Sequence, residues 1–93
     1  MYKVRQSNQF KKSVKRVVKQ GKDLDKLFNI VDLILSGDPL PAHYKDHVLN
    51  GKKWHGIREL HIEPDWLLAY QIDNGELILL LVDTGSHSQM LGM

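Results

Sequence analysis

Ninety-three residues, 42% of them hydrophobic, are enough for one modest core and too few for a second, so a single domain over residues 1–93 is expected. The absence of cysteine excludes disulfides and thiolate metal ligands and fits a reducing compartment, with the cytoplasm expected. The longest apolar run, Leu77–Val82, is far shorter than a membrane span, nothing near Met1 resembles a secretory hydrophobic stretch, and a soluble chain without a membrane partner is expected. The net charge of +2 conceals an asymmetry: residues 1–22 hold eight Lys or Arg and no acid, whereas the rest holds five Lys or Arg against all eleven acids. Such a distribution suits a polyanion or an acidic partner chain, or equally a solvated helix face.

In chain order, "YKVRQS" alternates apolar and basic residues from Tyr2, as a short strand does. Ser7 can cap a helix in which Phe10, Val14, Val17 and Val18 form one apolar stripe, with lysines on the other faces and Gly21 at its end. Asp23 can cap a second helix in which Leu24, Leu27, Phe28, Val31, Ile34 and Leu35 repeat the period up to Gly37, giving a helical hairpin. Pro39 and Pro41 stop further helix, and residues 39–56 read as a long loop carrying His43, His47 and His55. Loops of that length in small domains tend to be functional.

Three strands follow, near Ile57–Ile62, Trp66–Ile72 and Glu76–Asp83, with Asp73-Asn74-Gly75 turning between the last two. Between the first two, Glu63-Pro64-Asp65 interrupts the apolar pattern. Proline removes a ladder donor, so these residues read as a tight connection that holds His61 near Asp65 at a sheet edge, or as an ordinary polar turn. The tail from Thr84 is short and polar. The order β-α-α-β-β-β predicts an α+β fold, an antiparallel sheet with the helical hairpin on one face.

Five histidines invite a metal hypothesis, and His43-x-x-x-His47 has the spacing that zinc uses on helices. The neighbouring prolines oppose a helix there, and no glutamate follows the first histidine, so no metal centre and no cofactor are expected. The metal-free option uses His47, His61, Asp65 and His87, because imidazoles exchange protons near neutral pH and suit in-line cleavage of RNA.

The stretches "YKDH", "RELHIEPDWLLAY" and "DTGSHSQML" resemble, in order and spacing, the YafQ branch of the RelE/ParE toxin superfamily. The resemblance covers nearly the whole chain. Its most specific part is H-x-x-P-D-W followed about twenty residues later by T-G-[ST]-H. It implies a RelE-like fold and a ribosome-dependent endoribonuclease that cuts messenger RNA in the ribosomal A site, as the toxin of a type II toxin–antitoxin system. The implied partners are the ribosome, its message and a cognate antitoxin, expected to be a ribbon-helix-helix protein. The alternative within the superfamily is a non-catalytic ParE-like toxin that binds a protein target such as gyrase.

Carried over by position, the resemblance places His47, His61, Asp65 and His87 in the active site. Glu59 stands where relatives often have aspartate and takes a secondary role. Leu91 stands where an aromatic is common, and it can pack a base but not stack it, a difference of roughly 1–3 kcal/mol per base. In the chemistry expected, His87 is the general acid, His61 with Asp65 the base side, and His47 with Arg58 the phosphate contacts, the acid and base labels being exchangeable. Lys11, Lys12, Lys15, Lys52 and Lys53 complete the expected RNA-binding set, with Lys19 on the same basic helix. His43 and His55 are placed outside the site.

Overall fold

The computed structural model describes residues 2–49 and 56–90. Strand β1 (Lys3–Gln6) leads into helix α1 (Asn8–Lys19), then α2 (Leu24–Ser36), a 3₁₀ turn (Ala42–Tyr44), β2 (His47–Val48), β3 (Arg58–Glu63), β4 (Trp66–Asp73), β5 (Ile78–Gly85) and a single helical turn, α3 (His87–Met90). Both long helices start where side chains can satisfy free N–H groups. Ser7 Oγ accepts from the Phe10 N–H at 2.9 Å and Asp23 from the Asp25 N–H at 3.0 Å. α2 ends at Gly37, whose φ of 78° is the left-handed conformation that glycine adopts without strain.

The sheet order is β1-β5-β4-β3-β2. The predicted antiparallel pairing holds from β2 to β5, but β1 runs parallel to β5, with Lys3 opposite Ile78 and Gln6 opposite Leu81, so the sheet is mixed. Ser7 fixes that direction, since its N–H donates to the Leu81 carbonyl at 3.0 Å and its hydroxyl to the Val82 carbonyl at 2.6 Å. The predicted loop contains the 3₁₀ turn and β2, the latter pairing His47 with Glu59 and Val48 with Arg58. The predicted three-residue turn before β5 is instead Asn74–Leu77. The Asp73 carboxylate accepts the Glu76 N–H at 3.1 Å and Leu77 takes φ of 55°, so β5 begins at Ile78.

The two faces of the sheet are covered unequally. Phe10, Val17, Leu27, Ile30, Val31 and Ile34 of the helical hairpin pack on Leu60, Trp66, Leu68, Tyr70, Leu79 and Leu81. Val18 and Phe28, expected in that stripe, are 48% and 51% exposed; Ser13 and Ile30 are buried in the helices instead. On the other face Leu67 and Ala69 are covered by Met90 of α3, so not every helix lies on one side as predicted. This lightly covered face carries Glu59 and His61 of β3. Among the described residues no helix is long and apolar enough to cross a membrane.

Candidate active site

Residues opposite one another on antiparallel strands share a face. Glu59 is opposite Ala69 and His61 opposite Leu67, which places both on the α3 side of the sheet. The β3–β4 connection is the two-residue turn Pro64-Asp65, with Glu63 paired to Trp66. Proline's fixed φ excludes the positive-φ turns that match strand twist, and the register slips between His61 and Glu63. A bulge of this kind bends the strand and re-aims its side chains, here at the position of His61.

Asp65 leaves that turn to hold His87. One carboxylate oxygen accepts the His87 backbone N–H at 2.9 Å and the His87 ring Nδ1 at 2.7 Å. The backbone N–H of His87 first, and then its ring, hold the Asp65 carboxyl below the usual carboxylate range. An ionised carboxylate can only accept, so Nδ1 carries the proton and Nε2 faces outward for proton exchange. His61 lies beside it, the ring centroids 5.3 Å apart and the planes inclined by 58°. The predicted pairing of His61 with Asp65 is therefore corrected: both belong to one cluster, but the carboxylate orients His87.

Two separate fragments of the sequence motif are bonded to each other. Trp66 Nε1 donates to Thr84 Oγ1 at 2.9 Å, and the same hydroxyl donates to the Leu67 carbonyl at 2.7 Å, all within fully buried side chains. Asp83 accepts from Ser13 Oγ of α1 at 2.5 Å and from the Thr84 N–H at 2.8 Å. Ser86 and Gln89 then close a reciprocal cap: the Ser86 N–H donates to Gln89 Oε1 at 3.0 Å, and the Gln89 N–H donates to Ser86 Oγ at 3.2 Å. The end of β5 is thus anchored from both sides immediately before His87.

His47 is held by a second device. Lys45 adopts φ of 53°, unusual for a residue with a side chain, and its carbonyl accepts from His47 Nδ1 at 2.7 Å. That leaves Nε2 directed at Glu59 Oε1, 3.5 Å away. Glu59 is only 2% exposed, and its Oε2 is buried without a hydrogen-bond partner among the described residues.

Arg58 does not join these groups. It follows the alternation to the helical side, where its Nε and Nη2 donate to Asp46 Oδ2 at 3.1 and 2.6 Å, and the Tyr70 hydroxyl donates to Asp46 Oδ1 at 2.5 Å. Burial, and then the Asp46 carboxylate, push the Tyr70 hydroxyl far above its ordinary range. The predicted phosphate contact through Arg58 is accordingly replaced by a structural ion pair that fixes the segment entering β2.

One cation beside the turn that leads into His87, Arg16, is a residue that sequence reasoning passed over. Arg16 Nη2 lies 3.4 Å from Ser13 Oγ and 3.1 Å from where a Cβ on Gly85 would stand. Nothing in the periodicity of α1 separates Arg16 from its basic neighbours. Beside it a cleft of about 310 Å³ runs between Val17, Gln20 and Lys22 of the hairpin and Asp65, Trp66, Gly85 and Ser86. Lys11, Lys12, Lys15 and Lys19 are exposed on α1. Lys52, Lys53, His55 and Leu91 lie outside the described residues. Among the described residues, no three His, Asp or Glu side chains converge as a metal-ligand set.

A five-stranded mixed sheet with a helical hairpin on one face and a histidine–carboxylate cluster on the other is a RelE-like α+β architecture. A family model described as bacterial toxin of type II toxin–antitoxin system, YafQ, matches residues 2–92. The chain belongs to this YafQ family of bacterial toxins. It is 41% identical over 87 residues to the mRNA interferase toxin YafQ of Escherichia coli K12, covering 92% of this chain and 91% of that one. YafQ in the E. coli DinJ–YafQ complex matches it with a TM-score of 0.88 at 40% identity, covering 99% of this chain and 100% of that chain. A histidine-to-glutamine mutant of E. coli YafQ matches with a TM-score of 0.88 at 39% identity, again over 99% and 100%.

Proposed function

We infer that this chain is the toxin of a type II toxin–antitoxin system and an mRNA interferase, an endoribonuclease that cleaves messages on the ribosome. The observation that carries the chemistry is the Asp65–His87 pair with the His61 ring 5.3 Å from it. In-line cleavage needs one group to take the 2′-hydroxyl proton as the 2′-oxygen–phosphorus bond forms. A second group gives a proton to the 5′-oxygen as its bond to phosphorus breaks. His87, its Nδ1 proton held by Asp65, presents Nε2 as the general acid. His61 has no hydrogen-bond partner among the described residues and serves as the base. His47, beside Glu59, and Arg16, beside Gly85, contact the phosphate oxygens.

The chemistry runs on protons without a metal ion or cofactor. The basic hairpin, with Lys11, Lys12, Lys15 and Lys19, faces ribosomal RNA in the A site. The cognate antitoxin is a ribbon-helix-helix protein, and the whole cycle takes place in the cytoplasm on a single toxin domain. DinJ, found with the E. coli relative in a toxin–antitoxin complex, supports an antitoxin partner.

The test is cleavage of ribosome-bound message by wild type, His87→Gln and His61→Asn, with zinc and manganese chelated and magnesium kept for the ribosome. Both substitutions should lower cleavage about 10²–10⁴-fold while the chelated wild type stays active. Full activity of His87→Gln would refute the proton-transfer role. Activity lost on chelation and restored by zinc alone would refute the metal-free chemistry.

A further inference from the structure

On the far side of His61 from His87, the sheet edge is open. β2 pairs with Arg58 and Glu59, and the outer edge of β3 from Leu60 to Glu63 has no strand partner among the described residues. The 3₁₀ turn faces this edge instead, and between them lies a groove of about 340 Å³ lined by His43, Lys45, His61, Ile62, Glu63 and Pro64. The groove is continuous with the proposed active site through His61. Its walls combine an imidazole, an isoleucine and a proline with the polar backbone of an unpaired strand edge.

We propose that this groove is the subsite for a nucleobase next to the scissile phosphate, with His43 as the ring on which the base stacks. The inference rests on the endoribonuclease reading above. An unstacked base needs a flat ring for its face, apolar contact for its edges and hydrogen-bonding groups for its Watson–Crick side. His43 is exposed, and its ring is backed by Tyr44 with centroids 4.1 Å apart and planes tilted by 42°. Tyr44 in turn packs on the hydrophobic core, which limits the rotation of the platform. Lys45 places a cation at the same groove for the flanking phosphate. The same residue's carbonyl orients His47, so the groove and the catalytic histidines are held by one short segment.

The experiment compares codon-resolved cleavage of ribosome-bound message by wild type, His43→Ala and His43→Trp. Stacking on one ring corresponds to about a 5- to 150-fold effect. His43→Ala should therefore lose at least fivefold at the preferred codon, carried by KM, and lose less at the others, so that the codon profile flattens. His43→Trp should restore the preference. Because His43 is exposed, thermal midpoints of all three should agree. An unchanged profile and rate in His43→Ala would overturn the subsite, as would a uniform loss in kcat at every codon that tryptophan does not rescue. Failure of wild type itself to cleave would instead overturn the endoribonuclease reading, which the His43 comparison leaves separately visible.

Discussion

Asp65 accepts two donors from one residue, and the consequence is a fixed orientation of the His87 ring at little expense to folding, because both groups lie at the surface. Asp65→Asn should keep the backbone contact but can present an N–H where the ring needs an acceptor. Cleavage should fall about 10²-fold or more while the denaturant midpoint near neutral pH moves only slightly. The pH sign follows from the depressed carboxyl: its stabilisation is full above the ordinary aspartate range near 3.9 and is lost as pH falls toward the lower folded value. The gap in midpoint between wild type and Asp65→Asn should therefore shrink as pH drops below about 4. A gap that widens there would contradict the pairing. Arg16 makes a different kind of prediction, since its guanidinium Nε is buried without a partner among the described residues. Arg16→Gln should raise KM for ribosome-bound message about tenfold, as loss of one charged phosphate contact does, and Arg16→Lys should recover part of it. Loss of kcat alone, unrescued by lysine, would make Arg16 a brace for Gly85.

At the scale of elements, the site depends on where two connections stop. Gly85 has φ of 154°, and a Cβ there would stand 3.0 Å from Gln89 Oε1 and 3.1 Å from Arg16 Nη2. Gly85→Ala should destabilise the fold by about 1–3 kcal/mol and lower cleavage further than the stability loss explains, because the cap that carries His87 is displaced. A variant of wild-type stability and activity would show that the junction is slack. Arg58 works through β2: Arg58→Ala removes both charged bonds to Asp46, whose neighbour is His47. Activity and stability should fall together, by contrast with Asp65→Asn, and chemical denaturation beside cleavage distinguishes the two patterns.

These examples also mark what the sequence reveals. Helices capped by Ser7 and Asp23, and strands broken at Pro64, follow from local periodicity and turn chemistry, which act over a few residues. The motif residues His61, Asp65 and His87 were identifiable as a group, but their pairing was not. A bulge at the turn decides which imidazole meets the carboxylate, and a bulge leaves no periodic trace. Arg58 was misread because alternation on β3 starts at a residue that composition does not fix, and a shift of one residue exchanges the faces. β1 was legible as a strand, whereas its parallel partner lies more than seventy residues away.

Taken as a whole molecule, the toxin carries its positive charge on the hairpin and its acids mostly on the sheet half of the chain. Exposed Lys11, Lys12, Lys15 and Lys19 line α1, while Lys22 and Lys26 share one carboxylate, Glu63, at 3.1 and 2.7 Å. The shared ion pair adds little to stability at such exposure, and the hairpin remains strongly cationic. Reversing two of the α1 lysines to glutamate should weaken ribosome binding and flatten its log–log salt dependence, because fewer counterions are released. An unchanged slope would leave the helix to solvent.

The parallel pairing of β1 with β5 has one more consequence. Lys3 finds Ile78, and Gln6 finds Leu81, only after β5 has been made. Contacts of such separation close late, and in a chain made from its N-terminus β1 must wait for the last strand. His87 and the Ser86–Gln89 cap that carries it follow β5 directly. Protease sensitivity of stalled nascent chains should persist until β5 is clear of the ribosome, and early protection of β1 would refute this order of events. An mRNA interferase folded this way becomes competent only after β5 has emerged to receive β1.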